Sequence, residues 1–141
     1  MNKKPYWIIF IICTVFSISI FNIQAHAGEQ LKNREAVVKS LLIGINSENY
    51  GLRTSSAYMI GELNITEAVI PLLKMLKSEK NEEARIMAAV SLFKIGDARG
   101  IFAVKQAIRF DSSTRVSRMC EKIYNSFRQS ESINEDILAG I

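Results

Sequence analysis

The sequence predicts an all-α fold, a short α-solenoid of about three helical hairpins behind an N-terminal signal peptide, and three observations predict it. Apolar residues recur at helical rather than alternating intervals, one stretch superposes on a later one after an ungapped shift of 32 residues, and residues 1–27 have the make-up of an export signal.

The repeat is clearest where Asn49 falls on Asn81, Arg53 on Arg85, Ala57 on Ala89, Ile60 on Leu92 and Leu63 on Ile95. The same shift carries Glu35-Ala36-Val37-Val38 onto Glu67-Ala68-Val69-Ile70, Ala68-Val69 onto Gly100-Ile101, and Leu41 onto Leu73. In each unit the first half is apolar at i, i+3 and i+6 (Ala57, Ile60, Leu63, then Ala89, Leu92, Ile95), which is one face of a helix. Asn64-Ile65-Thr66 and Gly96-Asp97 break the pattern. Asn and Gly tolerate the left-handed conformation at a helix end, and Thr66 and Asp97 are placed to cap the helix that follows. The units are a half repeat at 30–45, repeats at 47–78 and 81–109, and a last repeat at 113–141 with a short C-terminal capping helix.

These residues resemble the HEAT-like repeats, in particular the short subtype also found in phycobilisome lyases. The match is carried by Glu83-Ala84-Arg85, Ala88-Ala89, Leu92, Gly96-Asp97 and Gly100-Ile101. The earlier copy keeps Leu52-Arg53, Ser56-Ala57, Ile60 and Ala68-Val69 but has Asn64-Ile65 in place of Gly-Asp. A weaker third copy is aligned on Asp111, Arg115-Val116, Cys120 and Ile123, with a spacing of 30 or 31. The resemblance implies stacked antiparallel hairpins, and it carries no catalytic or bilin-binding residue over to this chain.

Small residues at Ala57, Ala88 and Ala89 allow paired helices to approach closely. Arg53, Arg85 and Arg115 form a column that is expected to reach an acid or helix end of a neighbouring unit rather than a ligand.

In chain order, Lys3-Lys4, the apolar run from Ile8 and the small-x-small Ala25-His26-Ala27 predict a cleaved signal peptide over 1–27 and a secreted or periplasmic protein. An uncleaved anchor is the alternative, since Tyr6 to Ile23 approaches the roughly 17 to 25 residues that span a bilayer. The 114 residues from 28 onward suffice for one domain. Of 18 basic residues Lys3 and Lys4 precede residue 28, so 16 face 14 acids and the domain carries +2. The segment from Arg99 to Arg128 is locally basic, with seven basic residues against Asp111 and Glu121.

Helices are predicted at about 30–43, 47–63, 66–76, 82–95, 98–109 and 113–127. Leu31, Val38, Leu41 and Leu42 are the expected buried stripe of the first. Pro71 is expected to bend the third without stopping it. Ser132-Ile133-Asn134-Glu135 has capping-box spacing, which predicts a short helix folding back over Met119, Ile123 and Phe127.

The chemistry available is narrow. The sole histidine, His26, lies in the segment expected to be cleaved, which excludes His-dependent nucleophilic catalysis and His-bearing zinc sites from the remainder. Cys120 is the one cysteine beyond residue 27, so no intramolecular disulfide is expected there, and its small inward position predicts a buried thiol. Glu82-Glu83 and Glu135-Asp136 are neighbours in sequence and do not face one another on a helix. No enzyme, cofactor or metal site is predicted.

The expected function is an exported protein-protein interaction module that binds through the face formed by its second helices. That face carries Lys39, Lys74, Met75, Lys77, Lys105, Gln106 and Arg109. Its basic character suits an acidic protein partner, with a membrane surface or a second copy of the chain as further partners; nucleic acid is disfavoured because export argues against it. The alternatives are an accessory or regulatory subunit of a cell-envelope enzyme, or a membrane-anchored scaffold if the leader is retained.

Overall fold

The computed structural model describes residues 32–139, and these are all-helical, with no strand among them. The expected signal peptide, its cleavage site, Cys13 and Leu31 lie outside the described residues. Those that are described fall into two units, 32–37 and 38–139. The first contributes the opening residues of helix α1 (32–44), with exposed side chains throughout.

The second unit contains α2 (Tyr50–Glu62), a 3-10 turn at Thr66–Ala68, α3 (Val69–Ser78), α4 (Glu82–Ile95), α5 (Ala98–Phe110) and α6 (Thr114–Ala139). Polar caps set the starts of α2, α4 and α6 at intervals of 32 residues. Asn49 accepts from the Leu52 amide at 3.0 Å, Asn81 from Glu83 and Ala84 at 2.8 and 3.4 Å, and Ser113 from Val116 at 3.3 Å. Thus α2 begins at Tyr50 rather than 47, and Ser47 instead accepts from the Asn49 amide.

The predicted stops and caps hold at three of four places. Asn64 and Gly96 take the left-handed conformation, φ 51° and 69°, and Asp97 caps α5 by accepting from the Arg99 amide at 2.9 Å. Thr66 does not cap. Its hydroxyl lies 3.3 Å from a Glu67 carboxylate oxygen, and the chain enters α3 through the 3-10 turn. Pro71 explains that entry: it cannot donate to the Glu67 carbonyl four residues back, so the α ladder begins only at Val69.

Helix α4 is the centre of this unit. It packs against α2, α3, α5 and α6; Ala84, Arg85, Ala88, Ala89, Ser91, Leu92 and Ile95 form its buried face, and Ile86, Met87, Val90 and Phe93 are half-buried beside it. Small residues make those approaches possible. A Cβ added to Gly61 of α2 would lie 2.9 Å from the Ser91 Cα, and the Ser91 hydroxyl reaches the Ala57 carbonyl across the same contact at 2.7 Å. Val38, with half-buried Leu41 and Leu42, joins the core from α1.

Two expectations are corrected. The third copy follows the same spacing of 32, since Ser113 occupies the cap position of Asn81, and Val116 and Cys120 occupy the buried positions of Ala84 and Ala88. Arg115 is therefore the counterpart of Glu83, and Ser117 that of Arg85. Second, α6 runs unbroken to Ala139, so no separate capping helix folds back. Neither Gly nor Pro interrupts residues 128–135, and the hydroxyls of Ser130 and Ser132 donate to the carbonyls of Phe127 and Gln129, which continues the helix instead of starting a new one.

Candidate partner-binding groove

The arginine column forms part of this site. Arg53 donates to both oxygens of Glu79 at 3.0 and 3.1 Å, and to the carbonyls of Ser47 and Glu48 at 2.9 and 2.8 Å. Arg85 repeats the pattern with both oxygens of Asp111 at 2.9 Å and the carbonyls of Glu79 and Lys80 at 2.8 and 3.1 Å. Both guanidiniums thus clasp the loop before their own helix to the acid that ends the next one. Arg115 makes a different contact, an exposed pair with Glu83 at 2.8 Å.

Between α3 and α5, and floored by the clasped loops, lies a groove of about 860 Å³. Leu73, Leu76 and Lys77 wall it from α3; Phe102, Gln106 and Phe110 wall it from α5, with Ala103 and Ala107 beneath. Phe102 and Phe110 are 62% and 77% exposed, a large apolar surface for a soluble face to leave in water. Helical geometry brings them together, because residues four apart share a face and Phe102, Gln106 and Phe110 are spaced in that way.

The charge of the groove follows from which groups are already paired. Its acids, Glu79 and Asp111, are held by Arg53 and Arg85, and Asp111 also accepts from the Ser113 amide at 2.8 Å. Lys77 and Lys80 have no ion-pair partner for their ammonium groups among the described residues. The accessible field of the groove is therefore positive.

Two of the seven residues predicted for the binding face, Lys77 and Gln106, line this groove. Met75 does not belong to a binding face at all: it is 6% exposed and shares the core stripe of α3 with Val69, Leu72 and Leu76. Lys74 and Arg109 are exposed on α3 and α5 but outside the lining, and Lys39 is exposed on α1. Lys105 points to α6, its ammonium 5.6 Å from the centre of the Tyr124 ring. The basic segment is also partly neutralised, since Arg99 pairs with Asp97 and Arg115 with Glu83. The aromatic walls went unread in the sequence. The one signal in the sequence is that the shift of 32 residues aligns Phe102 with Ile70, so an apolar residue recurs there; in the structure both are about 60% exposed.

Cys120 is fully buried, as expected, and burial pushes its thiol up to about 11, with Asp111 adding to the rise and Arg85 opposing it. Among the described residues no group of three or more His, Cys, Asp or Glu is placed to hold a metal, and no helix is long and apolar enough to cross a membrane.

No family model matches the chain, and no curated protein matches it.

Proposed function

We propose that the chain is an exported protein-interaction module without catalytic activity, a short α-solenoid of HEAT-like hairpins that holds an acidic protein partner in the groove between α3 and α5. The observation that carries this reading is the groove itself, in which exposed Phe102 and Phe110 stand beside Lys77 and Lys80, neither of which has an ion-pair partner among the described residues. Apolar anchors within a polar rim are the usual make-up of a specific protein contact, and a rim charged with one sign favours a partner of the other. The solenoid reading is supported by the 32-residue recurrence of helix caps and by the duplicated clasps of Arg53 and Arg85. Export is supported by the leader-like composition of residues 1–27.

The test is affinity capture from a cell-envelope extract with the protein and with a Lys77→Glu/Phe110→Ala variant of unchanged melting temperature. A partner captured by the parent and lost with the variant supports the reading. Equal capture by both would refute it.

A further inference from the structure

This inference rests on the reading of the groove as the partner site and names what fills it. Phe102 and Phe110 are eight residues apart on α5, which sets the apolar wall at about 12 Å for a rise of 1.5 Å per residue. A volume of about 860 Å³ beside that wall has room for a peptide segment rather than for a single side chain. The polarity of the walls points the same way. Along the two helical walls Gln106 is the main neutral side chain able to serve an unpaired backbone amide or carbonyl; the Ser78 hydroxyl, at the end of α3, already donates to the Lys74 carbonyl and can only accept, and the Ser112 hydroxyl lies beyond the end of α5. An extended segment would leave its backbone unsatisfied there; a helix brings its hydrogen bonds with it. Charge completes the argument, because Lys77 and Lys80 have no ion-pair partner among the described residues while Glu79 and Asp111 are paired with Arg53 and Arg85.

We infer that the groove takes one acidic amphipathic α-helix of the partner, with two apolar side chains about two turns apart set against Phe102 and Phe110 and its carboxylates over Lys77 and Lys80. Two turns is the spacing that matches the two rings, and the acidic flank is the charge that matches the two lysines.

The experiment is a peptide array read by fluorescence anisotropy with the full-length protein. The probes are synthetic Glu/Ala peptides with paired leucines four, seven, eight or eleven residues apart, each also made with Lys in place of Glu and with a central proline that prevents helix formation. The expected result is tightest binding for the acidic peptides spaced at seven or eight. That binding should weaken at least tenfold with the proline, with Lys for Glu, and with Phe102→Ala, Phe110→Ala or Lys77→Glu in the protein. Absence of any binder in the array, indifference to the proline, or indifference to the three protein variants would overturn the inference. The failure of the broader reading is distinguishable: envelope capture that still depends on Lys77 and Phe110 while the array stays silent leaves the groove as a partner site and removes only the helix.

Discussion

Glu79 is held from two sides, its carboxylate by Arg53 of α2 and its backbone carbonyl by Arg85 of α4. Arg85 in turn binds Asp111, so a single path of charge-assisted bonds joins the α1–α2, α3–α4 and α5–α6 loops.

The two arginines are not equivalent energetically. The Arg85 and Asp111 side chains are 9% and 7% exposed, while those of Arg53 and Glu79 are 20% and 17% exposed. Arg85→Met strands a buried carboxylate and two carbonyls and should cost about 3 kcal/mol or more. Arg53→Met should cost about 1 kcal/mol, and Arg115→Ala, 60% exposed in its pair, less than about 0.5 kcal/mol. Urea denaturation of the three variants checks the order.

Gly61→Ala should destabilise the protein although alanine is the better helix former. The gain in propensity is about 1 kcal/mol, whereas a methyl group 2.9 Å from the Ser91 Cα forces α2 away from α4 and costs roughly 1 to 3 kcal/mol. A melting temperature at or above that of the parent would show that the two helices separate freely.

Truncation after Arg128 should leave the melting temperature nearly unchanged. The side chains of residues 129–133 and Glu135 are exposed, so the described side chains beyond Arg128 cover no core. The same truncation would lower the melting temperature strongly if the tail folded back over Met119, Ile123 and Phe127.

The Cys120 thiol, raised to about 11 and fully buried, should resist alkylation at pH 8 in the native protein and react promptly in denaturant. Labelling that proceeds at equal rates in both conditions would place the thiol at the surface.

The Lys94 ammonium holds the Glu62 carboxyl below its ordinary range, helped by the Tyr58 hydroxyl, and Glu62 holds Lys94 above its own. A lowered carboxyl pKa stabilises above the unfolded value of about 4.3 and ceases to do so as pH falls through the folded one. A raised ammonium pKa stabilises below about 10.4 and ceases to do so as pH rises through the folded one. The melting difference between parent and Glu62→Gln should therefore be level from about pH 5 to 10 and vanish in stronger acid. Thermal scans at pH 7 and 3 measure it.

Much of the fold could be read in advance because its cues are local. Asn81 and Gly96 bracket α4 at the residues predicted, Glu82 and Ile95, since a cap and a left-handed stop act within one turn. The tail of α6 was misread because Ser132-Ile133-Asn134-Glu135 fits a helix start by spacing, yet serine hydroxyls can equally bond to the preceding turn. Arg115 was misaligned by matching residue type, where the cap at Ser113 sets the register. The groove was half legible. Lys77 and Gln106 followed from placing α3 and α5 on one face, but Met75 was assigned outward when its helix turns it to the core, and the exposure of Phe102 and Phe110 depends on tertiary spacing that no local pattern encodes.

The double hold on Glu79 has a mechanical consequence. A tug on any one of the three loops is shared with the other two through the guanidiniums, so the two that line the groove beside Phe102 and Phe110 are braced rather than slack. Whatever settles there meets a seat that is already set, and little of the contact energy is spent on ordering it.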